Sequence, residues 1–465
     1  MSKDERVANV VLGGGESGKH LAWELAGHGQ PVVVIERGLI GGSCPNIACL
    51  PSKNVIHSAQ IANFANHAAE YGVHTQAVTV AMEGVRARKR DMVDAEIAFH
   101  RERFAMPHLT FVLAEGRLVG PRTVEARLAA NGARRFVADH LFLDLGSRAT
   151  VPAIPGLADA EPLTHVEALE LGRLPSHLIV LGAGYVGVEL AQAFRRFGSR
   201  VTMVGRSAQL IPREDPEVAA ALGTIFEHEG IEIVLGATPV AVEGRSGQRV
   251  RLRVRTAGGE QTIESSDLLV ATGRTPNTRG IGLEEAGITL DARGFVKVDD
   301  RLQTTAPGVW AMGECAGSPM FTHVGFDDFR TVRDNLAGKP RSTRDRLVPF
   351  CVFTDPPLAR VGLDETTAQR QGVAVRVARL PMTRVLRARA IGETRGFMKL
   401  LVEARSDRIL GFTMLGAEAG EVVAVVQTAM LAGLPYTGLR DAILTHPTMA
   451  EGLIALLADA PGAAR

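Results

Sequence analysis

The chain has 465 residues, too many for one ordinary hydrophobic core, and this length predicts about three domains. Its 52 Lys and Arg side chains are balanced by 51 Asp and Glu side chains, so the net charge of +1 provides no general field for nucleic acid or anionic lipid, and neither partner is expected. No apolar run is long enough to cross a membrane and four cysteines are too few for a disulfide scaffold, so we expect a cytoplasmic protein without a membrane anchor.

A glycine-rich turn follows the first apolar run, in VANVVLGGGESGKHLAWELAGHGQPVVVIER. Gly13, Gly15 and Gly18 have the Gly-x-Gly-x-x-Gly spacing between a predicted strand and a predicted amphipathic helix, which is the βαβ unit of a dinucleotide site. Glu36 ends the next predicted strand, where a carboxylate can accept hydrogen bonds from both ribose hydroxyls. The pattern predicts FAD, which has a free 2'-hydroxyl; the alternative is a purely structural turn.

A cysteine pair follows directly, in GGSCPNIACLPSK at residues 41–53. Cys44 and Cys49 are five residues apart, and five residues of ideal helix rise about 7.5 Å, beyond the usual Cα separation of about 7 Å in a disulfide. A disulfide therefore requires a distorted helix start, which Pro45 and Asn46 favour. Strained, accessible disulfides are the labile, catalytic type. Two buried thiols are the alternative, and Cys315 and Cys351 are interpreted as structural thiols.

The chain from about 52 to 103 is predicted to be largely helical, and the basic run RARKR at 86–90 is interpreted as a solvated helix face. Short predicted strands follow, and the proline-containing segment VPAIPGLADAEP is interpreted as a linker.

A second glycine turn occurs in HLIVLGAGYVGVELAQAFRRFGSRVTMVGR, with Gly182, Gly184 and Gly187 at the same spacing. The corresponding strand ends at Gly205 and Arg206, which offer a guanidinium and no carboxylate. A guanidinium attracts a 2'-phosphate and binds it bidentately. This turn therefore predicts NADPH, with NADH possible.

A third region starts near Pro349 and has alternating strand patterns, in GFMKLLVEA and ILGFTMLGA, followed by helix patterns, which predicts an α+β module. Near its end, LTHPTMAEGL places His446 before a proline, and Thr448 and Glu451 have the spacing of a capping box. Glu451 is either only a helix cap or the partner that polarises a His446 base, and the residues alone leave both open.

The motifs together resemble the pyridine-nucleotide disulfide oxidoreductase family, the group of glutathione reductase, dihydrolipoyl dehydrogenase and mercuric reductase. GGSCPNIACLPSK is similar to its redox-disulfide motif, ATGRTPNT (271–278) to its central motif, GVWAMGECAG (308–317) to its second FAD motif and THPTMAEGL to its base motif. The resemblance implies an α/β fold with two Rossmann-like dinucleotide-binding domains and a C-terminal α+β dimerisation domain. The implied boundaries are 1–150 with 275–345 for FAD, 151–274 for NAD(P)H and 346–465 for a homodimer interface.

The resemblance also implies an electron route from NADPH through FAD to Cys49, and from Cys44 to a small-molecule disulfide or metal-ion substrate. His446 and Glu451 would come from the partner subunit, so that active sites are shared, and Lys53 would pair with Glu189 near the flavin and nicotinamide. No resident metal site is expected. The expected cofactor-binding residues are Gly13, Gly15, Glu16, Ser17, Gly18, Glu36, Arg37, Gly42, Ser43, Lys53, Gly116, Gly146, Ser147, Gly182, Gly184, Tyr185, Val186, Gly187, Glu189, Arg206, Gly273, Gly313 and Glu314, the last near the ribityl chain.

Within this family, VTMVGRSAQLIPREDPEV is most similar to the mercuric reductase branch, which uses NADPH. No cysteine follows Cys351, however, and a soft-metal relay needs more thiolates. Two alternatives to a general disulfide reductase are therefore mercuric reductase proper and a lipoyl-dehydrogenase-like subunit of a multienzyme complex. The latter requires NAD, against which Arg206 argues. Residues that depart from the family pattern are Glu16, Asp144, Leu145, Glu314 and Pro357.

Overall fold

The computed structural model describes residues 4–129 and 132–458. In chain order its helices and strands are β1 (Asp4–Leu12), α1 (Glu16–Gly27), β2 (Val32–Glu36), α2 (Ser43–Asn46), α3 (Cys49–Asn66), α4 (Met82–Phe104), β3 (Leu109–Gly120), β4 (Thr123–Leu128), β5 (Gly132–Leu143), β6 (Ser147–Ala149), α5 (His165–Ala168), β7 (His177–Leu181), α6 (Tyr185–Phe197), β8 (Arg200–Val204), α7 (Pro216–His228), β9 (Glu232–Val234), β10 (Thr238–Arg245), β11 (Arg249–Thr256), β12 (Gly259–Ser265), β13 (Asp267–Val270), β14 (Arg274–Pro276), β15 (Val309–Ala311), α8 (Thr322–Leu336), β16 (Phe350–Val352), β17 (Leu358–Gly362), α9 (Glu365–Arg370), β18 (Val375–Pro381), α10 (Leu386–Ala390), β19 (Phe397–Glu403), β20 (Ile409–Leu415), α11 (Ala419–Leu431), α12 (Tyr436–Arg440) and α13 (Gly452–Ala458).

The first of two compact units comprises the described residues of Met1–Val55, Glu83–Thr150 and Gly273–Arg346. Its main sheet runs β1-β2-β3-β4-β5-β15, and β1 also pairs with β5. The pairs of β1 with β2, β2 with β3, β1 with β5 and β5 with β15 are parallel, whereas β4 is antiparallel to both neighbours. The strand–helix–strand order β1-α1-β2 therefore forms the parallel βαβ unit that the first glycine turn predicts.

This sheet is covered on both faces, which explains why its strands read as continuous apolar runs. Val10 and Leu12 pack into one core together with Phe136 and Leu283. Val11 belongs to a second core that includes residues of α1 and α8. The glycine turn after β1 thus projects from a sheet that is covered on both faces.

The second unit comprises the described residues of Ile56–Met82, Val151–Thr272 and Leu347–Arg465. Its parallel sheet β13-β7-β8-β9 contains the second βαβ unit, β7-α6-β8, and a separate antiparallel sheet runs β10-β11-β12. A five-stranded antiparallel sheet, β16-β17-β20-β19-β18, supports α11, α12 and α13 through a core that includes Phe412, Met414 and Leu453. The expected α/β class with a C-terminal α+β module is confirmed.

The interpretation of the basic run 86–90 as a fully solvated face is wrong for Lys89, which is only 1% exposed. The cause is helical periodicity, because Met82 and Lys89 are seven residues apart on α4 and share its buried face. Arg88 is exposed, and its guanidinium donates to the backbone and side-chain oxygens of Asn54. None of the described helices combines the length and apolar composition that a bilayer crossing requires.

Candidate active site and dinucleotide-binding turns

The first glycine turn has a geometry that only glycine permits. Gly13 has a φ of +99°, and a Cβ there would lie 2.2 Å from the carbonyl oxygen of Asp144. A Cβ at Gly18 would lie 2.6 Å from the carbonyl oxygen of Gly13, so this glycine lets α1 start directly behind the turn. Gly42, with a φ of +87°, packs against Gly15, whose Cα would be 2.7 Å from an added Cβ.

Glu36 is the organising carboxylate of this turn. Its side chain is buried, Oε2 accepts the Gly14 N–H at 2.8 Å, and Oε1 accepts the N–H groups of Gly38 and Leu39 at 2.8 and 3.0 Å. A carboxylate has about four acceptor positions, so capacity remains for a ribose hydroxyl. The glycine cradle and this carboxylate fit the adenosine and pyrophosphate parts of FAD.

The neighbouring predicted residues of α1 use their side chains within the protein. Glu16 forms an ion pair with Lys19 at 2.8 Å and lies 3.3 Å from His20. The Ser17 hydroxyl donates to the Gly325 carbonyl on α8 at 2.8 Å. At these two positions the backbone N–H groups of the helix N-terminus are therefore the groups suited to a phosphate.

The second glycine turn repeats the first. Gly182 has a φ of +123°, and a Cβ there would lie 2.3 Å from the carbonyl oxygen of Ala271, while a Cβ at Gly187 would lie 2.2 Å from the carbonyl oxygen of Gly182. Gly184 faces open space, since no heavy atom would lie within 4 Å of an added Cβ. This turn accordingly has room for a second pyrophosphate at the N-terminus of α6.

Three side chains surround the second turn. Arg206 is exposed directly after β8, and Val186 is 40% exposed on α6. The Tyr185 hydroxyl donates to Glu214 Oε1 at 2.6 Å, and its ring stacks on Phe350 with centroids 5.4 Å apart. The hydrogen bond to Glu214 and the ring contact with Phe350 thus fix the position of Tyr185 beside the turn.

The cysteine pair lies where the helix is interrupted, as the spacing predicts. Cys44 is on the four-residue helix α2, Ile47 and Ala48 form the break, and Cys49 begins α3. Among the described residues both cysteines are thiols. Hydrogen bonding with Cys49 is the largest cause that raises the pKa of the Cys44 thiol, and burial is the second. The protonation of Cys44 therefore depends on Cys49.

Thr322 lies beside the cysteine pair, although no sequence motif points to it. As the first residue of α8, it brings its Oγ1 to 3.1 Å from the Sγ of Cys49, and its hydrogen bonding lowers the pKa of Cys44 against the larger opposing effects. A hydroxyl donor next to a thiol stabilises the thiolate. The sequence signal is weak, because the contact joins segments that are 273 residues apart.

Lys53 and Glu189 lie in different units. Lys53 is on α3, four residues after Cys49 and on the same helix face. Glu189 is buried on α6, and its Oε1 accepts the backbone N–H of Phe353 at 2.8 Å. Their pairing stays a prediction.

His446 and Glu451 are brought together in the second unit. Nδ1 of His446 lies 2.8 Å from Oε1 and 2.9 Å from Oε2 of Glu451, and the histidine side chain is 62% exposed. The Glu451 N–H also donates to the Thr448 hydroxyl at 3.2 Å. The helix-capping contact and the histidine contact therefore coexist, and the imidazole Nε2 points away from the Glu451 contact.

The other predicted cofactor residues occupy turns, strand positions and one polar cluster. In that cluster, Glu314 contacts the Ser147 hydroxyl and lies 3.2 Å from the Nε of Arg274. Arg37 is exposed after β2, and Ser43 is the first residue of α2. Gly116 lies on β3, where an added Cβ would lie 2.4 Å from the Leu12 side chain. Gly146, Gly273 and Gly313 have φ values of +62°, +120° and +66°. Among the described residues no cluster of three or more His, Cys, Asp or Glu side chains could hold a metal ion.

Known proteins match most of the chain. Residues 8–328 match the pyridine nucleotide-disulphide oxidoreductase family, and residues 348–456 match the dimerisation domain of that family. The chain is 36% identical over 450 residues to the probable pyridine nucleotide-disulfide oxidoreductase RclA of Escherichia coli, covering 96% of this chain and 97% of that protein. It is 33% identical to a mercuric reductase of Bacillus cereus, covering 96% of this chain and 70% of that protein.

A solved structure, described as a Cu(II) complex of the HOCl-induced flavoprotein disulfide reductase RclA from Escherichia coli, has a TM-score of 0.89 and 34% identity, covering 98% of this chain and 99% of that one. LpdA from Mycobacterium tuberculosis has a TM-score of 0.87 and 25% identity, with 97% and 99% coverage. Members of this family use FAD and NAD(P)H, the two cofactors that the glycine turns fit. The chain belongs to the pyridine nucleotide-disulphide oxidoreductase family of flavoproteins.

Proposed function

We propose that this oxidoreductase passes electrons from NADPH through FAD to the Cys44–Cys49 pair and on to a small-molecule disulfide. The observation that carries the proposal is the cysteine pair at the break between α2 and α3, where Cys44 and Cys49 influence each other and Thr322 contacts Cys49. In this scheme residues 1–150 and 275–345 hold FAD, 151–274 hold NADPH and 346–465 form a homodimer interface.

The exchange chemistry follows from the two thiols. The Cys44 thiolate attacks one sulfur of the substrate, forms a mixed disulfide and releases one thiolate. Cys49 then attacks the Cys44 sulfur, releases the second thiolate and closes the Cys44–Cys49 disulfide, so two electrons reach the substrate. NADPH and FAD, when bound, supply the two electrons that return the disulfide to thiols.

The protons of the two thiols end on the two products. We assign their transfer to His446, because Glu451 holds Nδ1 and thereby orients the exposed imidazole. The match to a dimerisation domain supports a homodimer in which His446 of one subunit serves the cysteines of the other. A histidine whose Nδ1 is held by a carboxylate, and whose other ring nitrogen can exchange a proton, is the arrangement expected of a general acid and base.

The preference for NADPH rests on Arg206, which is exposed at the end of β8, the strand that follows the second glycine turn. Arginine binds a phosphate with two parallel hydrogen bonds, whereas a carboxylate at this strand end would select the unphosphorylated ribose. The same residue argues against a lipoyl-dehydrogenase-like subunit that uses NAD.

A soft-metal substrate is the second candidate. Similar proteins include mercuric reductases and an RclA solved as a Cu(II) complex. The sequence has no cysteine after Cys351 that could form a further thiol pair, so we assign Hg(II) or Cu(II) to the Cys44–Cys49 pair.

The test is NADPH consumption by the purified protein with a panel of small disulfides, with Hg(II) and with Cu(II) as separate acceptors. We expect consumption with at least one disulfide and its loss in Cys44→Ser. Consumption with Hg(II) or Cu(II) alone would assign the second candidate, and turnover that persists in Cys44→Ser would overturn both.

A further inference from the structure

Asp144 is an acidic side chain inside the first dinucleotide-binding turn. It follows β5 directly and is 8% exposed. Its Oδ2 accepts the backbone N–H of Gly18 at 2.7 Å. A Cβ added at Gly15 would lie 2.7 Å from the same oxygen. The carboxyl therefore accepts a hydrogen bond from one glycine of the turn and fills the space beside a second, in a turn suited to a pyrophosphate.

The second turn serves as an internal comparison. The carbonyl oxygens of Asp144 and Ala271 occupy matching positions, because added Cβ atoms at Gly13 and Gly182 would lie 2.2 and 2.3 Å from them. In the second turn the side chain at this position is a methyl group, whose Cβ would lie 3.6 Å from a Cβ at Gly187. The first turn thus has an ionisable group that its otherwise similar counterpart lacks.

Negative groups dominate the surroundings of this carboxyl. Burial raises the pKa of Asp144 to about 7, the Gly18 N–H opposes this effect, and the charges of Glu16, Asp328 and Glu36 add to it. The carboxyl therefore changes its charge near neutral pH.

The same neighbours have their own partners. Lys19 and His20 lie against Glu16 on α1, and Arg346 pairs with Asp328 on α8. Burial raises the pKa of the nearby Cys315 thiol to about 12, which keeps that thiol neutral at physiological pH.

We propose that Asp144 is a further residue of the FAD site and that FAD binding is coupled to the uptake of a proton by Asp144. A pyrophosphate at this turn brings negative charge next to the carboxyl, and like charges favour the protonated form. The neutral acid removes the repulsion while the turn keeps its glycine geometry. The protein therefore binds FAD most tightly when Asp144 is protonated. The affinity for FAD falls as the pH rises above the pKa that Asp144 has in the FAD-free protein.

The test is the equilibrium release of FAD from diluted holoenzyme between about pH 6 and pH 9, followed by flavin fluorescence. Coupling to one proton predicts that the FAD Kd is constant below about pH 7 and then rises by up to about tenfold per pH unit. The readout is independent of turnover, so a failure of the proposed disulfide reduction would leave this result unaffected.

Three variants separate Asp144 from its neighbours. Asp144→Asn keeps the side-chain shape without the charge, and Asp144→Ala copies Ala271; both should flatten the profile and bind FAD about tenfold or more tightly than wild type near pH 8.5. Glu16→Gln is the matched control and should keep the slope, with its onset at lower pH. A flat wild-type profile, or a slope that survives in Asp144→Asn, would overturn the proposal, and the wild-type result stands even where a variant does not fold.

Discussion

The Sγ of Cys49 lies 3.1 Å from the Oγ1 of Thr322, so the first residue of α8 contacts the sulfur that begins α3. Both residues start helices, where backbone N–H groups and the helix dipole favour negative charge. The helix start and the hydroxyl together favour a thiolate at Cys49.

Replacing Thr322 with Val should slow thiol alkylation in the reduced enzyme near neutral pH, because the hydroxyl donor beside Cys49 is lost while the shape is kept. A hydrogen bond to a charged group contributes about 1.5 to 3 kcal/mol, so the pH midpoint of alkylation should rise by about one to two pH units. The pH dependence of thiol alkylation in the reduced enzyme measures this shift. Thr322→Ser should restore the wild-type profile, and an unchanged profile in Thr322→Val would show that the contact is only structural.

Glu36→Ala should weaken FAD retention, because the carboxylate both fixes the backbone of the turn and offers capacity for a ribose hydroxyl. Loss of a hydrogen bond to the charged group costs about 1.5 to 3 kcal/mol, which corresponds to roughly a tenfold to hundredfold rise in the FAD Kd. Flavin fluorescence of diluted holoenzyme measures it. Glu24→Ala on α1 is a control outside the turn, and equal retention in Glu36→Ala and this control would contradict the role of Glu36.

Arg206→Ala should raise the KM for NADPH with little effect on NADH, since the guanidinium interacts only with the 2'-phosphate. Steady-state kinetics with both nucleotides measure the change in preference. Equal losses with NADPH and NADH would contradict the phosphate role. Introducing a carboxylate by Gly205→Glu is a poor test, because a Cβ at Gly205 would lie 2.9 Å from Ala183 and 2.9 Å from Leu235.

Lys399→Met should destabilise the second unit. The Lys399 ammonium is buried and lies 2.6 Å from Asp215 and 2.7 Å from Glu365, and removing one partner of a buried pair costs about 3 to 5 kcal/mol. Thermal unfolding measures the loss. Arg251→Met, which removes an exposed partner of Glu243, is the control and should cost at most about 1 kcal/mol. A similar small effect in both variants would contradict the buried-pair account.

The same pair gives a pH dependence. Hydrogen bonds from Lys399 and Thr366 lower the pKa of Asp215 to about 2, against the opposing effect of burial. A lowered pKa contributes stability above the unfolded-state value, and this contribution is lost as the pH falls towards 2. The gap in stability between wild type and Lys399→Met should therefore narrow below about pH 4.

The local parts of the site could be predicted from the sequence, because glycines, prolines and cysteines act within a few residues. The turns at Gly13 and Gly182 and the helix break between Cys44 and Cys49 are of this kind. Whether a side chain fits at Gly205 depends instead on the packing of Ala183 and Leu235 around it. The burial of Lys89 likewise depends on packing. Such effects require the tertiary structure.

Contacts between distant segments were beyond the sequence patterns. Thr322 reaches Cys49 across 273 residues, and Asp144 reaches Gly18 across 126. Asp144 is visible in the sequence only as a departure from the family pattern, and its contact with the glycine turn emerges from the pairing of β1 with β5. The roles of the individual site residues stay predictions.

The division of labour between the cysteines is the central claim, and the visible absorption spectrum of Cys44→Ser and Cys49→Ser tests it most directly. A Cys49 thiolate that faces oxidised flavin adds a long-wavelength charge-transfer band. Cys44→Ser should show this band without NADPH, because Cys49 can no longer form a disulfide, whereas Cys49→Ser should lack it; both should lose disulfide reduction. A band in Cys49→Ser and none in Cys44→Ser would reverse the assignment, and full activity in either variant would contradict the redox-disulfide mechanism.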